Sequence, residues 1–339
     1  MNLYRFAQTS QIQPSHPARP TPRRAWRPAP RRAPPRHARR PALKRARRRR
    51  WSGCLWPTLI LALVVCLGGI LAYGLLRLQP PVNVLILGID RRPDEGYATR
   101  SDTILLLHAD VGAGRMALLS IPRDLWVAIP GQGEGRINAA HLYGELDAPG
   151  GGPARAAETV THNLNVPIHH TLRLDFDAFR EVIDAAGGIE IDVPTPIIDD
   201  AYPTSDYGTM WVEIPAGRQH MDGETALRYA RSRHNSSDFD RAARQQQVLV
   251  ALAKKVISPS GMLRASRVQR AFQKAVETDL STRDLFRLAL TWQRAGEGGL
   301  ERIVIDRTLT TPFRTAQGAD VLLPRWELVR PLVEARFGR

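Results

Sequence analysis

Residues 52–76, "SGCLWPTLILALVVCLGGILAYGLL", carry no charged side chain over 25 positions. As a helix, a run of that length can cross a hydrocarbon core of about 30 Å. "KRARRRRW" stands directly before it. A cleaved leader has a shorter apolar core and rarely a basic segment of fifty residues in front of it. The expectation is therefore a retained transmembrane helix over 51–78, with Trp51, Trp56 and Tyr73 suited to the two interfaces. Positive charge of that density stays in the cytoplasm, which places everything from about Pro80 onward outside. The chain divides into a tail over 1–50, the helix over 51–78 and an extracytoplasmic body over 80–339.

The formal charge of +15 belongs to the tail. Residues 1–50 hold 16 Lys and Arg, no Asp or Glu, and nine prolines with almost no aliphatic pattern. Such a segment does not build a core and is expected to be disordered. It reads as a topology signal that also touches anionic lipid; a nucleic-acid-binding arm is the competing reading. Residues 51–339 carry 32 bases against 33 acids, so bulk charge gives the body no reason to bind nucleic acid. Both cysteines, Cys54 and Cys66, lie in the apolar run, which leaves the body without a disulfide or a cysteine zinc site.

Within the body, "VNVLILGID" (82–90) reads as a strand buried on both faces. "TILLLHA" (103–109) and "MALLSI" (116–121) read as two more, joined by the turn "DVGAGR". If they form a hairpin and the first strand is antiparallel to the second, Asp90, Asp102 and Pro122-Arg123-Asp124 come to one rim. Helices are expected over 152–164, 177–188, 222–230 and 240–257, with strands over 171–176 and 189–193. A strand "RIVID" and a helix "WELVRPLVEARF" close the chain. Strands and helices alternate without a repeat. The predicted class is α/β, a mixed central sheet packed between helices in one domain.

The chemistry concentrates in "RYARSRHNSSDFDRAARQQQ" (228–247). Arg231 and Arg233 stand two apart, so an extended backbone aims both the same way. Arg241, Arg244 and Gln245 share one helix face, which continues through the apolar Val248, Leu252 and Val256. Four arginines could thus grip one anion at the positive end of a helix, with an apolar path beyond it. The plainer alternative is a solvated face whose arginines pair with Asp238 and Asp240. Asp90 and Asp102 could each simply cap a strand or loop; as a pair beside a diphosphate they would hold Mg²⁺. Metal plus arginines is what diphosphate transfer needs, because positioning and charge stabilisation carry most of that catalysis. "GQGEGR" (131–136) lacks the Lys-Ser/Thr and the helix of a P-loop. His169 and His170 have no partner at metal-ligand spacing.

"NVLILGIDRR", "RSDTILLL", "SIPRDLWVAIPG", "RINAAH", "LDFDAFREVIDAAGGIEIDVP", "GRQHMDGETALRYARSR" and "DFDRAARQQQVLVAL" occur in this order over 82–257. Together they resemble the LytR-CpsA-Psr family of bacterial cell-envelope enzymes. The resemblance implies a mixed sheet between helices with a lipid tunnel through the core. It implies transfer of a glycopolymer from a polyprenyl-diphosphate carrier to a peptidoglycan hydroxyl, forming a phosphodiester with Mg²⁺ as cofactor. Asp90 and Asp102 match the metal-linked aspartates of the family. Arg100, Arg123, Arg231, Arg233, Arg244 and Gln245 match diphosphate-contacting positions; Asp124 and Arg241 match further motif positions, and Arg241 is expected to bind the diphosphate with them. The basic proline-rich tail is outside the family pattern. Two other readings stay open on the residues: a membrane-tethered regulatory protein that binds polyprenyl phosphates without chemistry, and a polyprenyl-diphosphate hydrolase.

Overall fold

The computed structural model describes residues 55–91, 96–204, 208–233 and 238–338. The chain divides into two compact units, Met1–Thr58 and Leu59–Arg339. The tail expected over 1–50 lies outside the described residues.

Helix α1 (Leu55–Arg77) is followed by strands β1 (Val82–Ile89), β2 (Ser101–Asp110) and β3 (Arg115–Ser120), and by the hairpin β4 (Trp126–Ile129) and β5 (Gly133–Arg136). Helices α2 (Ala139–Asp147) and α3 (Gly152–Leu164) lead to β6 (His170–Asp175), α4 (Phe176–Ala186) and β7 (Ile189–Val193). Next come β8 (Ile197–Pro203), β9 (Thr209–Ile214), β10 (Gly217–Met221), α5 (Gly223–Arg231) and α6 (Asp238–Ile257). The remainder holds α7 (Pro259–Met262), α8 (Ala265–Ala275), β11 (Glu277–Thr278), α9 (Thr282–Ala295), β12 (Leu300–Val304), β13 (Thr310–Arg314), β14 (Asp320–Pro324) and α10 (Trp326–Phe337).

β1 is apolar at nearly every position, so it needs cover on both faces. It lies inside a six-stranded sheet of order β11-β6-β1-β2-β3-β12. β1 and β2 are antiparallel, β2 and β3 are antiparallel, and β6 and β12 add parallel to β1 and β3. This is the mixed sheet expected, with the strand directions on which the rim argument depends. One face packs against α3 and α10 through Leu85, Leu87, Leu106, Leu119 and Phe337. The other packs through Val84, Ile86, Leu105 and Leu118 against Val250 of α6 and Leu288 and Trp292 of α9. A third apolar cluster joins α4, α5 and α6 to β7 to β10, away from the main sheet.

Local signals set the helix ends. Asp175 accepts from Ala178 N–H and caps α4, which stops at Gly187 with φ 83°. Asp222 caps α5 in the same way. Because β6 is parallel to β1 and runs straight into α4, the start of α4 sits at the end of the sheet where β1 finishes.

The expected membrane span overlaps α1 but starts outside the described residues. Among the described residues, no helix is long and apolar enough to cross a membrane. Side chains of α1 are described without a break only from Pro57 to Leu71. Those include Leu59, Leu61, Val65, Ile70 and Leu71, all exposed.

Candidate active site

The rim forms where β1 ends, β2 begins and β3 ends. Gly88 pairs with Thr103, yet the next residue, Ile89, pairs with Ser101. Asp102 is therefore the extra residue of a β-bulge, a device that re-aims a side chain at a strand end. It meets Arg123 from the segment after β3, with Nη1 2.5 Å from Oδ1. Arg123 Nε lies 3.5 Å from Asp124, which in turn holds Arg136 of β5 at 3.2 Å. Burial pushes the Arg123 guanidinium down, but the charge and hydrogen bond of Asp102, with Asp124 and Asp238, outweigh it and hold it above its ordinary value.

Arg241 arrives from the first turn of α6, buried, with Asp238 at 3.3 Å. One ion pair of the plainer alternative is thus present, but its arginine is not on a solvated face. Burial, then the charge of Arg233, pushes Arg241 down to about 10. It stays protonated at neutral pH, as a cation in search of more negative charge than Asp238 supplies. Enclosure by protein, then the Arg123 charge, also lowers Arg233, although that residue keeps an exposed edge. Buried Asp199 accepts from the Arg233 backbone N–H and fixes this segment. Three guanidinium groups thus act on one another through their charges, and two of them, Arg123 and Arg241, line a small cavity that Arg233 does not. Asp102, Thr103, Arg123, Asp124, Arg241 and Gln245 are among the residues that line it.

Next to it lies an apolar cavity of about 180 Å³ between the sheet and helices α4, α6 and α8. Ile86, Leu105 and Leu174 form its sheet wall, and Phe179, Val248, Leu249, Leu252 and Phe272 its helical wall. Thr103 and Gln245 line both cavities. Gly88 leaves room for Thr103: a Cβ there would stand 3.0 Å from Thr103 Cβ and 3.2 Å from its Oγ1. Arg231 closes the mouth of the apolar cavity. Its guanidinium carbon lies 4.0 Å from the Phe176 ring centre and 5.4 Å from that of Tyr202, and Nη2 is 3.1 Å from Asp90 Oδ2.

The structure therefore brings Asp102, Arg123, Arg241 and Gln245 to one cavity, with Arg233 near enough for its charge to act on Arg241, and sets Arg231 with its partner Asp90 at the adjoining apolar cavity. Two expected residues stand elsewhere. Arg244 is buried against α5, donating from Nε to Tyr229 O at 3.0 Å and from Nη2 to Ser232 O, and it lines neither cavity. The captured carbonyls are those left open at a helix C-terminus, so Arg244 holds the Arg231–Arg233 segment in place. Arg100 is exposed and lines neither cavity. The apolar path follows Val248 and Leu252 as expected but not Val256. His169 accepts from Asn83 N–H, a structural role.

Several contributors escaped the sequence reading. Arg91 donates to Asp175 from Nε at 3.1 Å and from Nη2 at 2.6 Å, and Asp175 lines the apolar cavity at its mouth. Its signal was present as the first cation of "GIDRR". Beneath the rim, Arg173 pairs with both Glu145 and Glu277 and stacks 4.2 Å from the Tyr97 ring. Glu145 also accepts from Gly150 and Gly152 N–H, and His141 donates from Nδ1 to Thr99 O at 2.8 Å. This buried network anchors the segment leading into Asp102.

A family model, the LytR_cpsA_psr family, matches residues 76–324. The chain belongs to the LytR-CpsA-Psr family. Its similarity to curated members is moderate. The polyisoprenyl-teichoic acid–peptidoglycan teichoic acid transferase TagU of Oceanobacillus iheyensis is 35% identical over 201 residues, 59% of this chain and 59% of its own length. The alignment thus spans about three fifths of that relative. Among solved LytR-CpsA-Psr structures, B. subtilis TagV superposes with a TM-score of 0.61 at 28% identity, covering 76% of this chain and 97% of the other. TagT bound to LI-WTA gives 0.61 at 25% identity, covering 78% and 93%.

Proposed function

We propose that the protein transfers a glycopolymer phosphate from a polyprenyl-diphosphate carrier to a peptidoglycan hydroxyl, forming a phosphodiester. One observation carries this reading: a cavity lined by Arg123 and Arg241 together with Asp102, Asp124 and Asp238 adjoins an apolar cavity, the two sharing Thr103 and Gln245, as a lipid diphosphate would require. The names of the related transferases and the TagT complex support the same choice.

In this reading the diphosphate lies against Arg123, Arg233 and Arg241, with Arg231 at the mouth and Gln245 hydrogen-bonding beside the junction. Guanidinium forks suit phosphate oxygens, and a partly enclosed site makes their charges count for more than in water. The prenyl chain follows the wall of Val248, Leu249 and Leu252. The acceptor hydroxyl oxygen bonds to the sugar-linked phosphorus, and the bond from that phosphorus to the bridging oxygen breaks. Polyprenyl phosphate leaves with the electron pair, and Asp90 or Asp102 takes the hydroxyl proton.

Asp90 and Asp102 would hold Mg²⁺. Among the described residues no cluster of three or more His, Cys, Asp or Glu could hold a metal by itself. Two carboxylates on neighbouring strands suit an ion that keeps most of its shell as water and phosphate oxygen. Bound there, the ion would neutralise charge developing on the diphosphate.

The same proposal covers location. α1 together with the uncharged residues before it anchors the chain in the membrane, with the basic tail in the cytoplasm and the body outside. Asp90 lies about 30 Å along the strand from Pro81 at ~3.3 Å per residue, so a headgroup at the bilayer surface does not reach it beside an upright domain. The apolar cavity runs from the rim back toward the start of β1, a path by which lipid can be drawn in.

The test is incubation of the protein in detergent with a synthetic polyprenyl-diphosphate glycan, Mg²⁺ and peptidoglycan fragments, followed by mass analysis. A glycan–peptidoglycan phosphodiester is expected. Binding without product would favour the regulatory reading, and free sugar phosphate made equally well without peptidoglycan would favour the hydrolase.

A further inference from the structure

The end of the sheet opposite the arginines gathers exposed apolar side chains that packing leaves without cover. β1 begins there and β2 ends there, and α4 and α6, which start at the rim, finish there. Contacts tie the surrounding elements to it. Arg287 of α9 donates to Pro80 O at 2.5 Å, and Arg294 donates to Val111 O at 2.5 Å, so α9 crosses the ends of β1 and β2. Lys254, near the end of α6, pairs with Glu297 just beyond α9. Gly261 packs α7 back onto α6 so closely that a Cβ would stand 2.0 Å from Lys255 O. The Arg264 guanidinium lies on Gly187, where a Cβ would stand 1.7 Å from its Nη1.

Met262 and Leu263 are therefore held at this end, and they are 67% and 90% exposed. Leu78, just before β1, is 80% exposed, and Phe286 on α9 is 58% exposed. An apolar group this open, fixed by tight backbone packing, marks an interaction surface rather than a packing remnant. Cations dominate the stretch that carries Met262 and Leu263. No Asp or Glu occurs from 241 to 276, while Lys255, Arg264 and Arg267 flank the Met-Leu pair and Arg283 stands beside Phe286. The acids at this end have partners: Glu297 meets Lys254, Asp284 meets His170 and Arg287, Asp279 meets His170 and Thr171 N–H, and Asp184 accepts from Gly223 N–H.

We infer that this end of the body is a second membrane contact, beyond the anchor: Met262, Leu263 and Phe286 insert among the headgroups of an anionic leaflet, and the flanking cations meet lipid phosphates. Apolar tips ringed by cations are the chemistry of interfacial binding. Leu78 joins them because the chain enters the body at the same end. The consequence for the proposed reaction is geometric. Phe272 and Leu252, which wall the apolar cavity, belong to the helices that flank the Met-Leu tip, so docking would seat that cavity on the lipid surface. The inference rests on the membrane location proposed above.

The test uses the full chain with Cys54→Ser and Cys66→Ser, reconstituted into phosphatidylcholine–phosphatidylglycerol vesicles. Single cysteines at Leu263→Cys, Phe286→Cys and Trp211→Cys carry an environment-sensitive fluorophore. Trp211 is exposed on β9, whose partner β8 holds Asp199 beside Arg233 at the opposite end. The expected result is blue-shifted emission at 263 and 286, quenched by headgroup-region nitroxide lipid and shielded from iodide, with the 211 probe quenched by iodide alone. Probes at 263 and 286 as open to iodide as the one at 211 would overturn the inference, while retention after a carbonate wash would leave the anchor reading standing. Shielding of 263 from both quenchers would also overturn it, because a protein partner would then cover the site. Loss of the chain from the vesicles in that wash overturns both readings together.

Discussion

Replacing Arg123 by alanine separates what the rim does for folding from what it does for chemistry. Arg123 meets Asp102 at 2.5 Å, and the two side chains keep 22% and 32% of their surface exposed. A partly solvated ion pair of this kind contributes about 1 kcal/mol to folding after screening, or ~2 kcal/mol if its charged hydrogen bond is well aligned. In a domain of this size that lowers the melting temperature by about 2–8 °C. The loss in the reaction should be larger. A fixed cation facing charge that develops on a phosphoryl group contributes on the order of 10²–10³ in rate, about 2.7–4 kcal/mol. Arg123→Ala should therefore melt a few degrees early, stay folded at the assay temperature, and transfer glycan on the order of 10²–10³ times more slowly. Arg123→Lys should recover part of the rate, since it restores the charge without the fork. Melting curves paired with product mass analysis give both numbers. A folded Arg123→Ala protein that transfers glycan within about tenfold of the parent rate would refute the reasoning.

Gly88→Ala puts a methyl 3.0 Å from Thr103 Cβ, so it should displace the junction of the two cavities and slow transfer with little change in melting temperature. Leu249→Trp should crowd the apolar cavity, lowering kcat/KM for a long prenyl carrier while sparing a carrier cut to a few isoprene units. For Glu145, burial pushes its carboxyl up, but hydrogen bonds from Gly150 N–H, Arg173 and Gly152 N–H outweigh this and hold the pKa below its ordinary value. A carboxylate depressed in this way stabilises the fold fully above about pH 4.3, and that stability is lost as pH falls through the folded value. Glu145→Gln should thus cost about 1.5 kcal/mol at neutral pH, since Arg173 loses one charged partner but keeps Glu277, with the deficit shrinking below about pH 4 in acid-denaturation curves.

The rim was legible because strand direction follows from apolar runs and a glycine turn. Once β1, β2 and β3 are antiparallel in succession, Asp90, Asp102 and Arg123 must share an edge. The bulge at Asp102 was not legible, since register is settled by pairing between strands rather than by either strand alone. Arg244 shows a second limit. Helical spacing places it near the face of Arg241 and Gln245, but only the packed position of α5 reveals that its carbonyls capture the guanidinium. The Arg231 sandwich between Phe176 and Tyr202 joins residues 29 to 55 positions from it, a proximity that no local pattern encodes. Arg241 and Arg244 were both expected at the diphosphate, and only Arg241 reaches the polar cavity.

The central claim is that the two cavities form one site for a lipid diphosphate. Photocrosslinking with a polyprenyl diphosphate that carries a diazirine on an isoprene unit tests this directly. Labelled peptides should contain Val248, Leu249 and Leu252 of α6 and Leu174 to Val182 of β6 and α4, and inorganic diphosphate should not compete away a tail that Arg123→Ala still admits. Labelling confined to peptides that line neither cavity, with none on these segments, would contradict the account.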